Sequence, residues 1–254
     1  MEGLCSYARA WISEALADTH AAGIVLAMTC DQMRRAFEDL CANASVPCFL
    51  FNIPATWQTV QARQLYKSEI RRLGRFLEGL GGRTPSAEVL SGQMLRTNAG
   101  IVADADWRRR GDTPLALVGP HASGLEPFIA QILEAAGGSI LLDCSEDSCP
   151  AFDRAAIQKD PFAELADTCF NSIQDVFQRP NSEFYKKLDH ALRHNSVKGL
   201  VIRRYLWCDL WHAEVYRLKQ WAPIPVLDLE IGYNPAEDSH RLATRIQSFM
   251  EMMQ

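Results

Sequence analysis

From residue 23 onward, short apolar runs rich in β-branched residues alternate with longer stretches of helical period, and this alternation constrains the fold more than any other feature. Residues 23–29 read as a strand, 31–44 as a helix with Met33, Phe37 and Leu40 on one face, and 46–53 as a second strand. A long helix follows over about 59–78, where Val60, Leu65, Ile70, Leu73 and Leu77 keep helical spacing until Gly79 and Gly81-Gly82 stop it. Residues 82–113 carry no strand signal, and 86–98 reads as one more helix inside a connector. The alternation resumes at Pro114, with strands over 115–118, 139–142, 199–207 and 225–229. A helix to Ala136 follows the first of these, an irregular stretch and a helix around 183–194 follow the second, and a helix follows each of the last two. Such spacing implies right-handed crossovers and mainly parallel sheets. The expected class is α/β: two small doubly wound, Rossmann- or flavodoxin-like domains whose sheets face a central cleft. The expected division is an incomplete N-terminal α/β domain over 1–98, a connector over 99–113 and a C-terminal α/β domain over 114–254.

Charge narrows the partners. A net charge of −5 over 254 residues leaves no basic field to neutralise phosphates, which argues against nucleic acid. The clusters Arg71-Arg72 and Arg108-Arg109-Arg110 are interleaved with acids and read as solvated helix faces. The start, Met-Glu-Gly-Leu-Cys, has neither a basic segment nor a long apolar core, and no run approaches the roughly 18 apolar residues a membrane span needs. A cytoplasmic protein without a membrane partner is expected. In that compartment eight cysteines point to metal ligation or buried thiols rather than to a disulfide framework.

Two of those cysteines occupy equivalent addresses. Cys30 closes the first strand and Cys208 the strand over 199–207; each is followed by Asp and then by an amphipathic helix. Both thiols are therefore expected at the carboxyl ends of strands, where open α/β sheets place their ligands. Cys5 is the natural third, since it lies just ahead of a helical stretch, where a thiol ionises more easily. Thiolates from three distant parts of the chain suit an iron–sulfur cluster held between domains, the alternative being buried, unreactive thiols. Without a close Cys-x-x-Cys pair, they do not resemble a structural zinc site. Cys144 and Cys149, at another strand end, are reserve ligands; Cys41, Cys48 and Cys169 read as packing. The turn Gly119-Pro-His-Ala-Ser-Gly124 frames a strand-to-helix junction whose free N–H groups could bind an anion such as a CoA phosphate, with Gly119, His121 and Gly124 as its marks. It lacks the Lys-Ser/Thr of a nucleotide P-loop, and a plain tight turn is the competing reading.

The order of these pieces resembles the 2-hydroxyacyl-CoA dehydratase D-component family, which includes benzoyl-CoA reductase subunits and double-cubane-cluster reductases. The resemblance rests on Cys5-Ser-Tyr-Ala-Arg9, the strand ending Thr29-Cys-Asp31, Asn52-Ile-Pro54 and Tyr66-Lys-Ser-Glu-Ile70. It continues through Lys198-Gly-Leu-Val-Ile202, Cys208-Asp209, Ile224-Pro-Val-Leu227 and the segment from Thr244 to Glu251, covering nearly the whole chain. It implies that Cys5, Cys30 and Cys208 hold a 4Fe–4S cluster through three thiolates, leaving one iron open to a substrate oxygen. It further implies a hydro-lyase acting on a 2-hydroxyacyl-CoA. A separate ATP-dependent iron–sulfur activator would supply one electron, the thioester carbonyl would become a ketyl radical, and the neighbouring hydroxyl would leave. A second dehydratase subunit, or a second copy of this chain, would complete the assembly. The alternatives are a non-catalytic partner or electron-transfer subunit, and a reductase of the benzoyl-CoA or double-cubane type. Two departures stand out. Only four residues precede Cys5 where the family usually has a substantial segment, so a shortened member or a reduced subunit is expected. The family's Cys-x-Gly element is represented after Asp143 only by Cys144 and Cys149.

Overall fold

Strand β1 (Ile24–Met28) lies parallel to β2 (Cys48–Asn52), in a register that sets Ile24 beside Cys48 and Met28 beside Asn52. The computed structural model describes residues 3–56, 59–104, 112–121, 126–146, 151–173, 175–232 and 235–253. Helix α1 (Ser6–Ala17) precedes β1, and α2 (Asp31–Asn43) crosses from β1 to β2. Met33, Ala36 and Leu40 recur at helical spacing, so one stripe of α2 closes over Leu26 together with Ala8 and Ile12 of α1. Helix α3 (Val60–Gly79) follows β2, and Leu80 to Gly82 stop it by donating N–H groups to the last carbonyls.

The larger sheet has the order β4-β3-β5-β6, all parallel among the described residues: β3 (Thr113–Val118), β4 (Gly138–Asp143), β5 (Gly199–Tyr205) and β6 (Val226–Ile231). The period of two along a strand sends alternate residues to opposite faces, and here both faces are covered. Leu115, Leu117, Val201 and Leu229 enter one core with Ile129 and Leu133 of α5 (Glu126–Ala135) and Ile246 and Phe249 of α10 (Pro235–Met252). Ala116, Val118, Leu200 and Ile202 enter the other, with Leu188 of α8 (Ser182–His194) and Trp211 and Leu218 of α9 (Asp209–Trp221). This doubly wound layering is the one expected from the alternation of strands and helices. Every residue of β5 is buried, including two arginines. Arg204 is held by paired hydrogen bonds to Asp228 at 2.9 and 3.1 Å and by Glu230, all on the neighbouring β6; Arg203 donates to the Pro120 carbonyl. Buried guanidinium groups persist only with such partners. No described helix is long and apolar enough to cross a membrane.

Several local expectations need correction. Helix α4 (Ala87–Asp104) continues six residues into the stretch 99–113 expected as connector. The strand expected to reach Trp207 stops at Tyr205, because Trp207 takes a positive φ of 66° and the Cys208 N–H turns back to the Tyr205 carbonyl. Cys41, read as core, is exposed. The stretch after β4 contains two helices, α6 (Arg154–Lys159) and α7 (Pro161–Ser172), capped by the side chains of Asp153 and Asp160. Their signals were present as Asp153 and Asp160-Pro161, an acceptor at each N-cap and a proline at the first helical position. Helix α7 packs across α3 and α4, and α6 packs on α4 and α7: the Phe170 ring lies tilted against Tyr66 of α3 with centroids 5.2 Å apart, and Ile157 meets Met94 of α4. Replacing Phe170 by Ala empties that contact and should lower unfolding free energy by about 3 kcal/mol in urea titration. A loss below about 1 kcal/mol would show that α7 is not seated there.

Candidate functional site

The three cysteines singled out in the sequence share one structural role: Cys5 is the N-cap of α1, Cys30 of α2 and Cys208 of α9. Two of them end up there because β1 and β5 end two and three residues earlier and a crossover helix must start. The thiols of Cys30 and Cys208 sit over their helix N-termini, where the Met33 and Gln32 amides act on Cys30 and the Trp211 amide acts on Cys208. Cys5 Sγ accepts from the Ala8 N–H at 3.5 Å.

What unites them is the Cys5–Ser6 peptide. The Cys5 N–H donates to Oε1 of Gln32, in the first turn of α2, at 3.0 Å. One residue on, the Ser6 N–H and Oγ both reach the Leu206 carbonyl, at 3.2 and 3.0 Å, and Oγ also lies 3.3 Å from the Ile231 carbonyl at the end of β6. The start of α1 is thus tied on one side to the helix capped by Cys30 and on the other to the residues just before Cys208. Tyr7 adds an apolar tie, its ring 5.1 Å from that of Tyr205 and 6.5 Å, edge-on, from that of His121.

Electrostatics report the same convergence. Burial pushes each thiol above its ordinary value, Cys208 to about 12, and neighbouring charges push in the same direction. Cys30 acts on Cys5, and both act on Cys208. The eased ionisation expected for Cys5 at a helix N-terminus is therefore overturned: desolvation outweighs the Ala8 amide. A fourth group, missed in the sequence, acts on both Cys30 and Cys208. Asp175 is buried in the segment between α7 and α8, where nothing in its local pattern separates a buried acid from a surface one. Its carboxylate accepts from the Phe177 N–H at 3.2 Å, and burial raises it to about 6.

Among the described residues no three His, Cys, Asp or Glu side chains converge tightly enough for one metal ion. Three thiols linked by electrostatic influence are the donor type that iron–sulfur clusters use. The other ligand spacings fare differently. Cys144 is buried in the core beneath β4, pushed up to about 11 by burial and then by Asp143 rather than by the three thiols; Cys149 lies outside the described residues. His190 and His194, a four-residue spacing the sequence reading passes over, stack on α8 with ring centroids 4.1 Å apart; both are exposed, and two imidazoles make only half a tetrahedral set.

Beside Cys30 opens a cavity of about 740 Å³ at the carboxyl ends of β1 and β2. Met28, Cys30, Asn52 and Leu210 line it together with Arg34, which pairs with Asp31 and Glu38, and Arg179, which donates to the Val176 carbonyl. The expected anion turn is built differently from a free cradle. Gly119 sits at φ +150°, and a Cβ there would lie 2.1 Å from the Arg203 carbonyl oxygen, so glycine is needed for strand approach. The His121 N–H donates to Glu146 at 3.1 Å and its carbonyl accepts from the Tyr205 hydroxyl at 3.1 Å, so this part of the turn is bonded within the protein; Gly124 lies outside the described residues.

Comparison with known proteins identifies the family of the chain. The family model described as 2-hydroxyglutaryl-CoA dehydratase, D-component, matches residues 2–103 and 112–253. No curated protein matches the chain. The Leu206 and Ile231 carbonyls keep the N–H groups of Ser6 and Leu206 as donors when the Ser6 hydroxyl is removed, so Ser6→Ala loses only the hydroxyl's own bond and should cost about 1 kcal/mol in chemical unfolding and speed alkylation of Cys208 in the folded chain. Unchanged stability together with unchanged alkylation would mean that the α1 start is held by something else.

Proposed function

Starting from this chain's membership of the 2-hydroxyglutaryl-CoA dehydratase D-component family, we propose that it is the cluster-bearing subunit of a 2-hydroxyacyl-CoA dehydratase. In this reading Cys5, Cys30 and Cys208 hold a 4Fe–4S cluster through three thiolates. The observation that carries it is that three cysteines from distant parts of the chain each sit at a helix N-cap and are linked electrostatically, Cys30 acting on Cys5 and both acting on Cys208. When bound, such a cluster supplies an open iron and one-electron chemistry, by which a thioester carbonyl is reduced and water is lost from the adjacent carbon.

The chain's own contribution is placement and exclusion. Capping at three helix N-termini fixes the thiols on rigid elements, and burial keeps water from them. The cavity beside Cys30 falls in the size range of ligand pockets and takes the acyl thioester, its apolar wall at Met28 and Leu210 facing the acyl chain. Arg34 and Arg179 offer cationic donors to the phosphates of CoA from the same wall. Asp175, buried near Cys30 and Cys208, carries the carboxyl group closest in influence to the thiols and is placed to hold a proton there. The expected partners are an ATP-dependent iron–sulfur activator and a second dehydratase subunit or a second copy of the chain.

Anaerobic expression should give a brown, oxygen-sensitive protein. Cys5→Ala, Cys30→Ala and Cys208→Ala should each lose most of the iron–sulfur absorbance, with dehydration of a 2-hydroxyacyl-CoA in the presence of activator and ATP falling at least about a hundredfold. Undiminished iron in all three variants would contradict the ligand assignment, and full iron without dehydration in any subunit mixture would contradict the activity.

A further inference from the structure

The segments Asn52-Ile-Pro54 and Tyr66-Lys-Ser-Glu-Ile70 lie on different elements and meet through one buried carboxylate. Asn52 ends β2 and stands beside Met28 in the parallel register, with Cys30 two residues further along; all three line the cavity of about 740 Å³. Glu69 of α3 is buried and accepts the Asn52 backbone N–H on Oε2 at 3.1 Å. A buried carboxylate is costly without a cation, and Arg72, three residues on, supplies one with bonds of 2.7 and 2.6 Å to the two oxygens. The Arg72 guanidinium in turn lies over the ring of Phe49, 4.7 Å from its centroid, and Phe49 is itself on β2. The path from Phe49 through Arg72 and Glu69 to Asn52 therefore starts and ends on the same strand and fixes the place where that strand stops. Water would satisfy a strand-end N–H as well; a buried ion pair also sets its position.

The side chain of Asn52 is the part of this arrangement without a structural role. Its carboxamide offers donors and an acceptor, yet makes no hydrogen bond among the described residues. The Thr59 hydroxyl of the same wall, by contrast, is already engaged in capping α3, where it accepts from the Ala62 N–H at 3.0 Å. We propose that Asn52 holds the 2-hydroxyl of the acyl thioester, and that Glu69 is the positioning residue that aims it. This rests on the reading of the cavity as the thioester pocket. The substrate hydroxyl donates to Oδ1 or accepts from Nδ2, a distinction between hydroxylated and plain acyl chains that the apolar neighbours Met28, Ile53 and Leu65 do not make. A thioester lacking the hydroxyl leaves the carboxamide unpaired as it fills the pocket, and selection follows from that penalty.

The test is calorimetric binding of 2-hydroxyglutaryl-CoA and of glutaryl-CoA to the full, anaerobically loaded chain without activator, so that no turnover occurs. The wild type should bind the hydroxylated thioester about tenfold more tightly, the worth of one hydrogen bond. Asn52→Ala, which removes no hydrogen bond among the described residues, should bring that ratio to about one through lost affinity for the hydroxylated thioester. Glu69→Ala should lower the ratio below about threefold, whereas Glu69→Gln, whose amide oxygen still accepts the Asn52 N–H, should keep it; a merely structural role would weaken both thioesters alike. A far-UV spectrum and iron content equal to the wild type show that each variant keeps the fold. If the wild type binds both thioesters but shows no preference, or Asn52→Ala keeps the preference, the proposal is overturned while the pocket reading stands. Failure of the wild type to bind either thioester would overturn the pocket reading and the proposal with it.

Discussion

Everything at the candidate centre depends on a single peptide held from both sides. The Cys5–Ser6 unit gives one N–H to Gln32 on α2 and the next N–H, with a hydroxyl, to the Leu206 carbonyl beyond β5. These are ordinary bonds of 3.0–3.2 Å, part-buried at Gln32 and at the Ser6 hydroxyl, each worth about 1 kcal/mol net but costing more if left unmade. Their value lies in geometry rather than in total energy. Without them α1 would still bury Ala8 and Ile12 against β1, yet its first turn would lose the bonds that tie it to the residues just before Cys208. A helix end whose amides must find acceptors, and a strand end whose carbonyls must find donors, satisfy each other across the junction.

The larger sheet supplies the rigid side of that junction. Burying β5 along its whole length removes solvent as a partner for its polar groups, so Arg204 must pair with Asp228 and Glu230, and Arg203 with Pro120. These pairings lock β5 to β6 and to the turn after β3, which in turn requires glycine at position 119. Cys208 therefore rides on a strand end with little freedom, while Cys30 rides on the smaller β1–β2 pair. A two-stranded sheet is marginal alone. Its support comes from α1 and α2 on one side and, at the β2–α3 end, from α7, whose Phe170 reaches Tyr66 beside Phe51.

Much of this was legible before any coordinates. The alternation of apolar strands with periodic helices announces a parallel, doubly wound fold, because burial on both faces leaves continuous apolar runs such as Leu115–Val118. The positions of Cys30 and Cys208 followed directly, since a thiol between a strand and a helix has to sit at a strand end. Other features were decided by tertiary partners that no local pattern names. The exposure of Cys41 depends on how the α2 end lies over β2. The burial of Asp175 depends on a segment pinned between two sheets, and the raised thiol values depend on how deeply three caps are packed together. Helix α7 agrees with the helix expected around Cys169, whereas α6 was overlooked because it is only six residues long and its cap Asp153 was the main signal it gave.

The central claim is that α1 brings a third thiol to two strand-end thiols, making a cluster site with three protein ligands and one open position. Mössbauer spectroscopy of the anaerobically loaded, iron-57-labelled chain tests it most directly. The account predicts a four-iron cluster in which one iron is distinguishable from the other three, and that iron alone shifts when an exogenous thiol is added. Four equivalent irons, unmoved by the added thiol, would mean a fully ligated cluster and would contradict it.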